Sequence, residues 1–180
     1  MVEDKNLIID KRTFDISFYE MEIPFDNTSL IEVIKNTKME QLQMLTTFEK
    51  NNQILQKEEM KDFKNHLFYF LDIFVKKALE KTKFNIINSW FQCYSKDSYH
   101  PLHIHGTDPN QWSLIYYIQV SENSSNTEIY GPGHPYIYFL KKIVKPKTNK
   151  LVIFPSCLPH EVLKNGDDKR IILSANLNID

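Results

Sequence analysis

Four of the six histidines stand where they can do chemistry: His100, His103 and His105 within HPLHIHG, and His160 within FPSCLPHEV. A neutral imidazole offers a lone pair at physiological pH, so clustered histidines are read first as metal ligands. In an extended segment residues two apart share a face, which lets His103 and His105 aim into one cavity while Ile104 packs behind them. His100 has the opposite parity to His103 and, on a strand, points away from it, which makes it the weaker ligand candidate. An H-x-H pair alone is a modest signal, and the distant His160 strengthens it. Leu151 to Phe154 reads as a buried strand ended by Pro155, and His160 opens the next extended segment, Glu161 to Leu163. Three imidazoles from two neighbouring strands form one face of a metal site and leave positions open for substrate or oxygen.

Arg170 lies ten residues after His160, past an Asn165-Gly166 turn, and heads the apolar run Ile171, Ile172, Leu173. A guanidinium entering a sheet interior needs an anionic partner, because an unpaired buried charge is very costly. A ligand carboxylate suits it, since arginine offers a planar fork for bidentate binding. The plainer alternative is a surface pair with Asp167 or Asp168. Cys157, three residues before His160, raises the thought of a Cys-His nucleophile, but nothing marks its thiol as activated, and packing beneath the site is the expectation. His66 lies one position off a helical stripe and His134 lies in the turn GPGHP, so structural or surface roles are expected for both.

The elements that must position these residues divide the chain near residue 100, because all four glycines and seven of the eight prolines lie beyond it. Before it, Thr13 to Ile23 alternates like a strand, and Ser29 with Glu32 resembles a capping box for a short helix carrying Leu30, Ile31, Val33 and Ile34. From Glu58 to Lys81, Met60, Phe63, Leu67, Phe70, Leu71, Phe74, Ala78 and Leu79 form one apolar stripe of a long helix. Residues 37 to 57 have no firm assignment. Short β-rich runs follow: Ile86 to Tyr94, Ser113 to Val120, Tyr136 to Ile143, Leu151 to Phe154 and Arg170 to Leu177. An antiparallel sandwich or barrel behind a helical support is expected, within a single domain spanning 1–180.

Composition narrows the function classes. With 42% hydrophobic and 25% charged residues in a 180-residue chain, a full core is available. The net charge of -1 argues against a broad nucleic-acid surface or a polybasic membrane patch. No apolar run approaches the ~18 residues of a spanning helix, and MVEDKNLIID is unlike a signal peptide, so no membrane and a cytoplasmic, intracellular location are expected. Cys93 and Cys157 make no CxxC and no zinc-finger spacing. Neither partners nor oligomeric state are legible.

The order His103, His105, His160, Arg170 resembles the Fe(II)- and 2-oxoglutarate-dependent oxygenases, whose motif is H-x-[D/E], a distant His, and Arg or Lys about ten residues later. The runs NSWFQCYSKDSYHPLHIHG, WSLIYYIQV and LVIFPSCLPHEVLKNGDDKRIILSANL look like jelly-roll strands of the prolyl-hydroxylase-like branch, especially its small bacterial and phage members. The resemblance covers roughly 86 to 178. It implies an α+β, mainly β fold: a double-stranded β-helix (jelly-roll, cupin-like) core over 86–180, with an N-terminal strand and support helices over 1–85. It further implies Fe(II) on His103, His105 and His160, and Arg170 and Tyr117 on the far carboxylate of 2-oxoglutarate. Tyr94 is placed near that co-substrate, with Trp90 and Asn176 in the cavity wall. The implied activity is an O2-consuming dioxygenase that hydroxylates an unidentified substrate, a protein side chain among the candidates, with release of succinate and CO2. His105 departs from the usual carboxylate, though the small phage-type branch often shows His-x-His, and Asp108 is the second choice for that ligand. Asn149 replaces the usual Gly before LVIFP, a mild change because Asn tolerates the left-handed conformation. A cupin-like three-histidine metalloenzyme without 2-oxoglutarate explains His105 better and Arg170 worse; an inactive jelly-roll binding module explains neither.

Overall fold

Period-two alternation organises the second half of the chain, and both faces of the resulting sheet are buried. A computed structural model describes residues 16–50, 52–131, 141–166 and 170–180. The strand β11 (Arg170–Ile179) shows the pattern: Leu173, Ala175, Leu177 and Ile179 join a core beneath the helices, while Ile172 joins a second core between two sheets. On β6 (Gln111–Gln119), Leu114, Tyr116 and Ile118 face the first core, and Ile115 and Tyr117 the second. On β4 (Phe84–Tyr94), Phe91 belongs to the first and Tyr94 to the second.

Among the described residues the larger sheet has seven strands in the order β1-β9-β6-β11-β4-β3-β2, adding β1 (Tyr19–Glu22), β9 (Lys150–Pro155), β3 (Leu45–Thr46) and β2 (Glu40–Gln41). The smaller sheet has four among the described residues, in the order β5-β10-β7-β8: β5 (His100–His103), β10 (His160–Val162), β7 (Thr127–Tyr130) and β8 (Lys141–Val144). Every ladder in both sheets is antiparallel. Two stacked antiparallel sheets with helices on one outer face are the expected mainly-β jelly roll.

The helices close that outer face. The stripe expected over 58–81 begins with a 3-10 turn, Glu58–Met60, and continues as α2 (Lys61–Ala78), which buries Phe63, Leu67, Leu71 and Phe74. Each such side chain contributes about 1.5–3 kcal/mol of burial, so Leu67→Ala would open the support layer. Helix α1 (Thr28–Lys35) buries Leu30 and Ile34. Its expected capping box is absent. Asn27 is the N-cap without a side-chain cap bond, because its amide is drawn inward, donating to the Ile118 carbonyl at 2.8 Å and to Asn149 Oδ1 at 2.8 Å. Asn149 adopts φ 69°, the left-handed geometry its type tolerates.

Of the strand expected from Thr13, residues 1–15 lie outside the described residues, as do His134 and the first part of the run from Tyr136. His66 packs between the rings of Phe25 and Phe70 at 5.2 and 5.1 Å, a structural position. Among the described residues, no helix is long and apolar enough to cross a membrane.

Candidate metal centre

Strands β5 and β10 place His103 directly opposite His160, with ring centroids 4.2 Å apart. His105 lies just past the end of β5. Its backbone N–H donates to the Ser156 carbonyl at 3.0 Å, which turns the ring back over His160 at 5.1 Å and near parallel. One ligand atom from each of His103, His105 and His160 can be chosen so that all lie within 4.8 Å of one another.

Backbone carbonyls choose the tautomers. A carbonyl oxygen only accepts, so His103 Nδ1–H donates to Pro101 at 2.7 Å and His160 Nδ1–H donates to Leu158 at 3.0 Å. Each then presents an Nε2 lone pair, the arrangement that orients metal-binding imidazoles. His103 Nε2 lies 3.2 Å from His105 Nε2. Burial holds all three rings neutral: it lowers the pKa of His103, with the Pro101 bond opposing, and that of His105 to about 4, with His103 adding to the effect. For His160, 4% exposed, burial again leads, reinforced by His103 and His105, and the pKa lies well below the ordinary value. The space they border, about 20 Å³, has room for one water-sized body. A donor set of three neutral imidazoles suits Fe, Zn, Cu or Ni, so the residues fit a divalent transition metal.

Two local expectations are corrected. His100 does not point away: its ring stacks on His103 at 3.9 Å and its Nδ1 lies 3.2 Å from Gln92 Nε2. The pairing explains this, because His103 opposes His160 while His100 opposes Val162, so three steps on β5 match two on β10 and the bulge reverses the parity. Burial, then His103, lowers the pKa of His100 to about 3. Cys157 is exposed in the turn after β9 and does not pack beneath the site. Asp108 Oδ1 accepts the Asn110 N–H at 2.8 Å, a turn-capping contact, and is not in the histidine group.

Arg170 sits in the facing sheet, fully buried and not at the surface; Asp167 and Asp168, its alternative partners, lie outside the described residues. Its Nη1 donates to the Ser125 carbonyl at 2.6 Å and its Nη2 to Thr127 Oγ1 at 2.9 Å. Tyr94 and Tyr117 flank the guanidinium, with ring centroids 5.0 and 5.1 Å away. The Tyr117 hydroxyl shares Thr127 Oγ1 at 2.9 Å. Arg170 Nε and the Tyr94 hydroxyl are buried with no hydrogen-bond partner. Burial pushes the Tyr94 phenol upward, with the Arg170 charge opposing, so Tyr94 stays a neutral donor. A buried cation whose contacts among the described residues are neutral, beside two orphaned donors, fits a carboxylate. Trp90 lines the space, 5.5 Å from the His105 ring, whereas Asn176, expected in the wall, is not among its lining residues; its Oδ1 accepts from Ser113 Oγ at 3.4 Å.

Sequence reasoning missed Ser125 and Thr127, which lie in or beside a polar turn, and the hairpin formed by β2 and β3, whose Met44 and Phe48 border a second space next to the histidines. The signal for the hairpin was present, since Gln41 to Phe48 is an uncharged run between charged flanks.

Residues 88–176 match the family described as "Putative 2OG-Fe(II) oxygenase". No curated protein sequence matches the chain. Among solved structures, the viral collagen prolyl hydroxylase of Paramecium Bursaria Chlorella virus-1 in its 2OG complex is 16% identical, with a TM-score of 0.59, covering 89% of this chain and 94% of its own. HygX from Streptomyces hygroscopicus, with nickel, 2-oxoglutarate and hygromycin B bound, is 8% identical at a TM-score of 0.66, covering 91% and 83%. The Trichoplax adhaerens prolyl hydroxylase in complex with a hypoxia inducible factor peptide fragment is 12% identical at 0.64, covering 89% and 83%. At these identities the likeness is one of fold.

Proposed function

We propose that the chain, whose residues 88–176 match the 2OG-Fe(II) oxygenase family, is an enzyme using Fe(II), 2-oxoglutarate and O2 that hydroxylates its substrate from a metal held by His103, His105 and His160. Arg170, assisted by Tyr117 and Tyr94, takes the far carboxylate of 2-oxoglutarate. When bound, metal and co-substrate supply oxygen activation coupled to oxidative decarboxylation, with succinate and CO2 as products.

The chain's own residues bind, orient and exclude water. The Pro101 and Leu158 carbonyls hold Nδ1–H of His103 and His160, so that both Nε2 lone pairs face one point, and this convergence carries the proposal. Thr127 and the Ser125 carbonyl fix the guanidinium plane, leaving Arg170 Nε and the Tyr94 hydroxyl to meet an anion. The space at the histidines admits only a water-sized body, so a diacid enters by turning lining side chains aside. His100, stacked on His103 at the sheet edge, is well placed to move. A protein side chain is the proposed substrate, supported by the peptide bound to the Trichoplax neighbour.

Anaerobic titration of the metal-free protein with Fe(II) and then 2-oxoglutarate tests this. A visible metal-to-ligand charge-transfer band that disappears in Arg170→Ala is expected. Fe(II) binding without a band would instead support the cupin-like reading, which the all-imidazole donor set favours. No metal binding would leave a binding module.

A further inference from the structure

A second cavity of about 250 Å³ adjoins the histidines, between the β2–β3 hairpin on one side and β5 with its following residues on the other. It shares Trp90, Gln92, His100, His103 and His105 with the inner space, so whatever fills it lies against the metal ligands. Leu42, Met44, Phe48 and Ile104 supply the rest of its apolar wall. The wall is continuous toward the metal, because Phe48 packs edge-on against Trp90 at 4.9 Å and Trp90 in turn faces the His105 ring.

Of its polar side chains, those of Thr46 and Gln92 are already engaged, and Gln43 adds an exposed, uncharged amide. Thr46 Oγ1 donates to the Phe91 carbonyl at 3.2 Å and accepts the Phe48 N–H at 3.1 Å. Gln92 Oε1 accepts from Ser174 at 3.0 Å while its Nε2 meets His100. Among the described residues, no Lys, Arg, Asp or Glu lines the cavity. The two segments that form it, 41–48 and 98–105, contain no such residue either. An ammonium, carboxylate or phosphate placed here would lose its hydration and find no countercharge. At the mouth, Leu42, Phe48 and Ile104 stay 48%, 40% and 47% exposed, a concentration of apolar surface that marks a contact site.

We infer that this cavity receives the reacting part of the prime substrate, and that this part is an uncharged, hydrocarbon-rich group, aliphatic or aromatic. The assignment rests on the proposed oxygenase reading and sharpens it: lysine side chains and nucleotide phosphates are excluded as the group presented to the metal. Arg170 and its neutral cradle handle the anion of the co-substrate in the opposite sheet, and the charge of the site is confined there.

Met44, 2% exposed in the cavity wall, provides a readout independent of turnover. The protein is labelled with methyl-13C methionine, loaded with Zn(II) and 2-oxoglutarate, and titrated with N-acetyl-leucinamide, N-acetyl-phenylalaninamide, N-acetyl-lysinamide and thymidine monophosphate, the Met44 signal being assigned with Met44→Leu. The leucine and phenylalanine probes should shift the Met44 methyl saturably, with the charged probes at least about tenfold weaker. Phe48→Ala should weaken the apolar probes about fivefold or more, and Leu42→Glu, at the exposed mouth, should narrow the gap between the lysine and leucine probes. Equal shifts from charged and apolar probes, or no shift from any, overturns the assignment. The Fe(II) charge-transfer band is measured separately. A band without a Met44 response rejects the cavity and leaves the oxygenase reading standing; a Met44 response without a band rejects the assignment to a prime substrate.

Discussion

Tyr116 and Tyr117 are neighbours in one strand and belong to different parts of the molecule. Tyr116 faces the helices, where its hydroxyl lies 2.8 Å from Asn149 Oδ1 and 3.0 Å from Asn27 Oδ1, closing a network that also anchors the start of α1. Tyr117 faces the other sheet, where its hydroxyl and Arg170 converge on Thr127. On the helix side the tyrosine completes a closed set of polar partners. On the inner side, next to Tyr117, donors on Tyr94 and Arg170 are left over. The lesson is that neither residue type nor a single unpartnered atom marks a site: His66 Nε2 is also buried without a partner, and what sets the inner face apart is two surplus donors beside a buried cation.

Removing a proposed metal ligand should break this contrast most. His103→Ala or His160→Ala is expected to weaken Fe(II) by more than about 100-fold, read by anaerobic titration, and unchanged affinity in either would remove that residue from the ligand set. Next comes Arg170→Ala, which should cost 2-oxoglutarate about 2–5 kcal/mol of binding while metal affinity stays nearly constant. A parallel loss of metal would show that Arg170 only holds the fold.

Protonation probes the same inner face without mutation. Histidines whose folded pKa lies below the free value of about 6.5 bind fewer protons when folded, so their contribution to stability is complete above that pH and is lost as pH falls toward the folded values. Those values are about 4 for His105 and about 3 for His100. Urea unfolding of the metal-free protein should therefore show a loss of about 1–3 kcal/mol between about pH 7.5 and 5.5, a span limited by partial solvent screening. A flat profile would contradict the neutral cluster.

The tyrosine pair sharpens the comparison at smaller cost. Tyr116→Phe should destabilise the fold by about 1–2 kcal/mol and leave 2-oxoglutarate affinity alone, whereas Tyr117→Phe should weaken the co-substrate with less effect on unfolding. Smallest of all is Cys157→Ser, expected within about 0.5 kcal/mol of the parent and without effect on turnover. Cys157 should react readily with thiol reagents while Cys93, whose thiol burial pushes up to about 12, should not.

Much of this was legible because alternation and side-chain parity are local properties. The alternation over Arg170 to Leu177 carries both the helix-facing core and the inward arginine. His103 and His105 do converge, but past the end of β5 through the Ser156 carbonyl, and Ile104 does not pack behind them but lines the outer cavity at 47% exposure. What the sequence hid depends on partners far along the chain. The bulge that turns His100 inward is a property of two strands together, so the parity of one strand misplaces it. Asn27 caps α1 without its side chain because Ile118 and Asn149, 91 and 122 positions away, claim the amide. The hairpin over 40–46 has strands of two residues each, too short to show a period, and depends on β4 for its pairing.

The proposed ligands of the metal lie on or beside the four-stranded sheet, while Arg170 hangs from the seven-stranded one, and Ile172, Phe154, Ile129 and Val162 pack between. Under that assignment the sandwich works as a caliper. The packed side chains would set the opening of its jaws, and 2-oxo diacids would be sorted by chain length: one methylene fewer would leave the far carboxylate short of Arg170, and one more would crowd it. Because Ile172, Phe154 and Val162 also line the space at the histidines, substitutions there would retune which 2-oxo acid the enzyme accepts.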